Sequence, residues 1–249
     1  MFSIASASLP IALTFILGGL VKGVAGMGLP TIAMGLLGLL MPPAEAAALV
    51  VIPSLVTNLW QFMAGQRQIA LLRRTWPMLL TMCFATSAGV GLMTGTGAES
   101  AKIWLGGALV AYAAGGLARV GLKIPRRQEV WLSPFVGAVT GVVTGATGVF
   151  VVPAVPYLQA LGFEKDDLVQ VLGLSFTAST LALAAGLESQ GAFRLADAGA
   201  SALCTLPALI GMGIGQVIRA RTDPSTFRLL FFVGLLLLGA DLLARPIFR

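Results

Sequence analysis

The sequence predicts an all-α polytopic membrane protein, built from two homologous repeats of four hydrophobic segments, the first of each broken or re-entrant. Of its 249 residues, 57% are hydrophobic and only 10% are charged, whereas a soluble domain carries about 25% charged residues. Uncharged stretches near the length of about 20 residues that spans a bilayer recur along the whole chain. The chain also aligns with itself after a shift of about 120 positions. Little sequence remains for a soluble domain, so the membrane part must carry the function.

Eight hydrophobic segments follow one another. They cover residues 9–40, 46–66, 75–98, 103–118, 131–163, 168–187, 198–218 and 229–240, the last reaching spanning length with its charged ends. Segments 9–40 and 131–163 are too long for one straight crossing, since a helix of that length measures about 48 Å against a hydrocarbon core of about 30 Å. Each holds a glycine cluster and a proline, which predicts a break. The first is also too long for a removable signal peptide.

The net charge of +6 comes from arginine and lysine in short loops. Such loops stay on the cytoplasmic side of a membrane, and no basic–aromatic alternation indicates nucleic-acid binding. Histidine is absent from the sequence, which argues against His-dependent catalysis and most zinc sites. We therefore expect no metal, no cofactor and no enzyme activity. Cys83 and Cys204 lie inside apolar segments and are expected to be buried thiols.

The self-alignment predicts a first repeat at 1–125 and a second at 126–249. Gly19 falls on Gly137 at an offset of 118, and Ser54 falls on Ser175 at an offset of 121. If each opening segment crosses once as a kinked helix, the halves are parallel; if each folds back as a hairpin, the halves are inverted. The count of basic residues on the two sides does not decide. Paired broken segments favour inverted halves.

Lys22 is the single charged residue among the first 44 and lies within the first broken segment. A charge inside a membrane is costly and usually faces a cavity or a partner. The glycines at 18, 19, 23, 26 and 28, followed by Pro30, are expected to break the helix beside it. Broken backbone is tolerated in a membrane only where it is buried or lines a cavity. A cation beside free helix-end amides indicates an anion site.

Polar residues of four segments complete the candidate site. Ser54, Asn58 and Gln61 lie on one helical face because of their i, i+4, i+7 spacing. Ser175 and Ser179 repeat the i, i+4 spacing in the other half, so the two polar faces are expected to meet between the repeats. The predicted substrate-binding residues are Lys22, Gly26, Gly28, Thr31, Ser54, Thr57, Asn58, Gln61, Thr144, Thr147, Gly148, Ser175 and Ser179. Small polar residues also serve helix packing, which is the alternative for each glycine, serine and threonine.

The chain resembles the TauE/SafE family of sulfite exporters at three places. These are the run Gly-Gly-Leu-Val-Lys22-Gly-Val-Ala-Gly-Met-Gly28-Leu-Pro30, the run Gly148-Val-Phe-Val-Val-Pro153, and the serine-bearing helices around Ser54 and Ser175. The resemblance implies a bacterial inner-membrane carrier of sulfite, sulfonates or small organic acids. The family's usual triple-glycine run reads Gly-Met-Gly-Leu-Pro and Gly-Ala-Thr-Gly here, which leaves room for a substrate other than sulfite.

The sequence therefore predicts a multi-pass secondary transporter of small anions, with a binding site near mid-depth. Its expected partners are the anion and the lipid bilayer, and a homodimer is allowed. Three alternatives remain open: an anion channel, an intramembrane enzyme, and a non-transporting assembly or sensor subunit. The sequence argues against an enzyme because it contains no nucleophile–base pair at helical spacing and no acidic metal cluster. It argues against an assembly or sensor subunit because its short loops leave little surface for a partner.

Overall fold

The computed structural model describes residues 4–94, 98–118, 123–193, 195–219 and 224–245, which form helices and short connections with no strand. The first half contains α1 (Ile4–Ala25), α2 (Leu29–Leu40), α3 (Pro43–Met63), α4 (Gln68–Gly89), the single turn α5 (Gly91–Thr94) and α6 (Ala98–Leu117). The second half contains α7 (Arg126–Thr147), α8 (Ala154–Ala160), α9 (Lys165–Ser189), α10 (Leu195–Arg219) and α11 (Pro224–Ala244). The predicted all-helical class is confirmed.

Six of these helices are long and apolar enough to cross a bilayer, namely α1, α3, α4, α7, α9 and α10. Their outward faces carry large apolar side chains such as Phe84, 72% exposed, and Leu203, 78% exposed. Exposed apolar side chains at this density are unfavourable in water and favourable in lipid. The chain is therefore a multi-pass membrane protein.

Both over-long segments are broken, as predicted, but the breaks involve fewer glycines. The first break lies between α1 and α2, where Gly26 has φ of 74° and Gly28 has φ of 109°. The second follows α7, where Gly148 has φ of 70°. A residue with a Cβ is sterically disfavoured in this left-handed region, so glycine is suited to these positions. The expectation that Gly18, Gly19 and Gly23 also break the helix is wrong, because all three lie inside the continuous α1.

Those helical glycines let neighbouring helices pack at short distance. A Cβ added at Gly19 would overlap the backbone carbonyl of Ala208 in α10, and one at Gly23 would overlap that of Met212. In α7, Gly137 and Gly141 lie in the same way against α4. Small residues at helix contacts allow such close approach in membranes. The glycine clusters thus build the pairs α1–α10 and α4–α7.

The contacts also fix the relative directions of the helices. Cys83 Sγ lies 3.7 Å from the carbonyl of Ala178 and Ser87 Oγ lies 3.3 Å from that of Ala182, so α4 and α9 run parallel. Gly137 packs on Met78 and Gly141 on Met82, so α7 runs parallel to α4 as well. Since α7 and α9 share a direction, the chain between them, including α8, must return.

The first half has the same arrangement. Gln61 near the end of α3 contacts Val169 near the start of α9, and Gly173 packs on Asn58, so α3 and α9 are antiparallel. The contacts of Gly19 and Gly23 show that α1 runs parallel to α10. Because α9 and α10 are consecutive membrane-spanning helices, α10 runs opposite to α9. Therefore α1 and α3 share a direction and α2 returns the chain. The segments α1 and α7 run in opposite directions, so a duplication of this chain would be inverted.

The starts of α4, α7 and α9 meet at one end of the bundle. Arg67 pairs with Asp167 at 2.8 Å, and Arg74 pairs with Glu129 at 2.6 Å. We call this the arginine-rich end. The positive-inside rule predicts that this end faces the cytoplasm.

Candidate functional site

The ammonium of Lys22 lies in the last turn of α1, only 3% exposed, and donates a hydrogen bond to Oδ1 of Asn58 in α3. Among the described residues, no carboxylate forms an ion pair with it. A buried ion without a counter-charge is costly, whereas a hydrogen-bonded neutral partner offsets part of that cost. The amide therefore orients the cation without neutralising it, so an anion can still be attracted there.

The start of α2 lies at the same break. Gly28 is its N-cap residue, with no side-chain cap, and the first intrahelical bond runs from the amide of Ile32 to the Gly28 carbonyl at 2.9 Å. The amides of Leu29 and Thr31 therefore have no intrahelical acceptor, as is general for the first helical turn. Thr31 is fully buried and its Oγ1 has no hydrogen-bond partner among the described residues. The positive end of the α2 dipole favours an anion at this point.

The polar residues of α3 are buried at the predicted face. Ser54, Thr57 and Asn58 are fully buried, while Gln61 is half-buried. The Thr57 hydroxyl donates to the carbonyl of Pro53 at 2.8 Å, as a helical threonine commonly does. Gln61 Nε2 donates to the carbonyl of Val169 at 2.6 Å, which ties α3 to α9. Thr57 and Gln61 thus have structural partners, and Ser54 and Asn58 keep free polar atoms.

The predicted residues of α9 divide in the same way. Ser175 is fully buried and its Oγ has no partner among the described residues. Ser179 is also fully buried, but its hydroxyl lies 3.2 Å from the sulfur of Met82 in α4. The helices α3 and α9 cross where Gly173 packs on the Asn58 carbonyl. Ser175 lies two residues beyond Gly173 and therefore shares the face of Ser179 and not that of Gly173.

At the second break, the threonines complete the end of α7. Thr144 Oγ1 donates to the carbonyl of Thr140 at 2.7 Å, and Thr147 Oγ1 donates to that of Val143 at 2.6 Å. The amide of Gly148 bonds back to the carbonyl of Thr144 at 2.7 Å. Gly148 packs on the Met34 side chain of α2, which brings the two broken segments into contact. These contacts support a structural role at this break.

The sequence did not single out two residues that tie the region together. Gln170 is 2% exposed; its Nε2 donates to the carbonyl of Phe62 at 2.9 Å and its Oε1 accepts from the amide of Arg67 at 3.3 Å. Met82 accepts from Ser179. A glutamine within an apolar helix is costly unless it is satisfied, which was an available signal for Gln170. No feature of the sequence distinguishes Met82 from the other apolar residues of its segment.

Four predicted residues therefore keep fully buried polar atoms with no partner among the described residues: Thr31, Ser54, Asn58 through Nδ2, and Ser175. Buried polar groups are nearly always hydrogen-bonded in folded proteins. Together with Lys22 these residues carry one cation, one amide donor and three hydroxyls, which are groups that bind the oxygens of small anions. The structure brings two of them into direct contact, Lys22 and Asn58. The Lys22–Asn58 pair lies towards the arginine-rich end, since Gln61, one turn beyond Asn58, contacts the first turns of α9.

The chain matches a known protein family. The family model described as sulfite exporter TauE/SafE matches residues 11–242, nearly the whole chain. No curated protein and no solved structure matches the chain.

Proposed function

Because the chain belongs to the sulfite exporter TauE/SafE family and is a multi-pass membrane transporter, we propose that it is a secondary carrier of small oxyanions, sulfonates or small organic acids in the bacterial inner membrane. One observation carries the choice of an anion. Lys22 is buried against Asn58 without a counter-charge among the described residues. In a membrane-spanning helix such a charge marks a substrate site or a relay.

The proposed site joins Lys22 to the polar atoms that lack partners. Lys22 supplies the charge, Asn58 Nδ2 and the first amides of α2 donate to anion oxygens, and the hydroxyls of Thr31, Ser54 and Ser175 complete the shell. The remaining predicted residues support this shell. Gly26 and Gly28 shape the first break, Thr57 and Gln61 fix α3, and Thr144, Thr147, Gly148 and Ser179 fix the second break and α9.

The antiparallel arrangement of α1 and α7 supports an inverted duplication into 1–125 and 126–249. Inverted repeats with paired broken helices are typical of secondary transporters that bind substrate between the repeats. Movement of one half against the other would then expose the site alternately to the two sides. The contacts Gln61–Val169 and Gln170–Phe62 link the halves at the arginine-rich end, so this end must open for cytoplasmic access.

The first test is thermal unfolding of the purified protein with sulfite, sulfate, thiosulfate, sulfoacetate, taurine and small carboxylates. A ligand that binds the folded state raises the unfolding temperature with its concentration relative to its dissociation constant. A shift confined to a few anions, and lost in Lys22→Met, supports the proposal. If no anion stabilises the wild type, or if Lys22→Met responds as the wild type does, the proposed site is wrong.

Transport itself separates a carrier from an anion channel. In proteoliposomes loaded with the stabilising anion, a carrier exchanges labelled substrate for internal substrate and saturates. A channel passes the anion as an electrical conductance with little saturation. Exchange that saturates supports the carrier, and conductance without exchange contradicts it.

A further inference from the structure

A cavity of about 750 Å³ opens at the arginine-rich end, and none of its lining residues belongs to the proposed transport site. Its walls are the first turns of α4 and α7 and the connection between α8 and α9. The charged residues in these walls are the arginines Arg67, Arg73, Arg74 and Arg126 and the carboxylates Glu129, Glu164 and Asp167. This concentration of guanidinium groups requires an explanation.

Two of the arginines are already bound within the protein. Arg74 contacts both carboxylate oxygens of Glu129, at 2.9 and 2.6 Å, donates to the carbonyl of Leu161 at 3.0 Å and lies 4.3 Å from the ring centre of Phe163. Arg67 pairs with Asp167 at 2.8 Å. These contacts hold the walls in place and neutralise two of the three carboxylates.

The other two arginines are available to a ligand. Arg73 and Arg126 are exposed and form no ion pair or hydrogen bond with the described residues. Glu164, the remaining carboxylate, cannot balance both, so the cavity keeps a net positive charge. Guanidinium groups bind phosphate oxygens strongly through paired hydrogen bonds.

The ends of three helices add to the positive potential of the cavity. The helices α4, α7 and α9 begin at the cavity, and their N-cap residues Arg67, Pro125 and Glu164 make no side-chain cap. The positive ends of the helix dipoles therefore point towards the same space. Backbone amides of a first turn are donors suited to phosphate.

The surroundings place the cavity at the surface of the bilayer. Trp76 on α4 is 56% exposed, and Trp131 on α7 is 78% exposed. Exposed tryptophans gather at the level of lipid headgroups, and basic ends face the cytoplasm. Basic pockets between helices on the cytoplasmic side are suited to anionic lipid headgroups.

We propose that the cavity between α4, α7 and the α8–α9 connection binds the phosphate of an anionic phospholipid of the cytoplasmic leaflet, with Arg73 and Arg126 as its charged ligands. The acyl chains would then lie along the exposed apolar side chains of Trp76 and Val130. A bound lipid would connect α4 of the first half with α7 of the second. This site is independent of the transported anion.

The test compares lipids and variants on delipidated protein in detergent. Phosphatidylglycerol, phosphatidylcholine and inorganic phosphate are added at equal concentration, and thermal unfolding is followed. Arg73→Gln/Arg126→Gln removes both charged ligands. Lys123→Gln/Lys165→Gln is the matched control, because it makes the same change in net charge at exposed residues of the same end outside the cavity.

We expect phosphatidylglycerol to raise the unfolding temperature of the wild type and the control by several degrees, and that of Arg73→Gln/Arg126→Gln by less than half as much. Native mass spectrometry should show one fewer retained lipid in that variant. An equal shift in all three proteins, or an equal shift from phosphatidylcholine, would overturn the proposal. A shift from inorganic phosphate that depends on the two arginines would identify a small-anion cavity and also overturn the lipid assignment.

Discussion

The side chains of Lys22 and Asn58 meet across 36 residues of sequence, the ammonium donating to the amide oxygen deep inside the bundle. A neutral partner is chemically different from a carboxylate at this place. It satisfies one donor of the ammonium and leaves the charge uncompensated. The pair therefore separates two roles, because the charge can serve a ligand while the hydrogen bond fixes its position.

Replacing Asn58 tests this separation. Asn58→Asp places a carboxylate beside Lys22, so we expect anion-induced stabilisation to be lost while the protein still folds. Asn58→Ala removes the acceptor from a buried ammonium and should lower the free energy of unfolding by about 1–3 kcal/mol. Thermal unfolding with and without the anion measures both effects. If Asn58→Asp retains the full anion response, the charge of Lys22 does not attract the substrate.

Close packing of α1 on α10 predicts a strong effect of one methyl group. In Gly19→Ala the new Cβ overlaps the backbone carbonyl of Ala208, so the helices must separate, at a cost of about 1–3 kcal/mol. Gly213→Ala in α10 is the control, because a Cβ there meets nothing within 4 Å. We expect a lower unfolding temperature for Gly19→Ala only. Equal stability of the two variants would contradict the packing of this pair.

The two ion pairs at opposite extremes of exposure should differ in strength. The side chains of Arg74 and Glu129 are 22% and 12% exposed, whereas those of Arg245 and Asp241 are 56% and 47% exposed. Removing one member of the shielded pair leaves an unpaired charge, so Arg74→Gln should cost about 1–3 kcal/mol. Asp241→Asn should cost about 0.5 kcal/mol or less, as exposed helical pairs do.

Double-mutant cycles give the coupling energy of each pair from the free energies of unfolding, which are measured by thermal unfolding. Arg74→Gln/Glu129→Gln should recover part of the loss caused by Arg74→Gln alone, because no charge then remains unpaired. Additive effects of these two substitutions would show that the pair contributes nothing beyond its separate side chains.

The return of α8 predicts the sidedness of three exposed residues. Cysteines are introduced singly at Lys123, Lys165 and Gln190 in a background of Cys83→Ala and Cys204→Ala, and intact cells are treated with a membrane-impermeant maleimide. Because α7 and α9 run parallel, Lys123→Cys and Lys165→Cys should be protected and Gln190→Cys labelled. If α7 and α8 crossed the membrane once as a kinked helix, positions 123 and 165 would differ in labelling.

Much of the fold was predictable because lipid imposes strong and simple constraints. Backbone groups in hydrocarbon must bond within a helix, so apolar length alone predicts the membrane-spanning class. The left-handed backbone of Gly28 and Gly148 was predictable as well, since glycine next to a proline-containing run in an over-long segment indicates a break. Asp241 and Arg245 pair at 2.6 Å, and their i, i+4 spacing is one at which side chains meet on a helix surface.

The limits of the sequence appear at the glycines and the arginines. Gly19 and Gly28 are alike in a sequence, yet one packs against α10 and the other caps α2. The pairing of Arg74 with Glu129 joins residues 55 apart, and no periodicity encodes such a partner. Both depend on which helix lies alongside, and apolar composition does not specify neighbours.

The sequence by itself determined that the chain is a helical membrane protein with two broken segments and a cation that needs a partner. It could do so because burial of charge and of unsatisfied backbone is unfavourable wherever it occurs in lipid. Only the tertiary structure decided that the partner is Asn58, that α2 and α8 return, and that Arg73 and Arg126 face a cavity of their own. These follow from the relative direction and contact of helices, which depend on side-chain shape at each crossing.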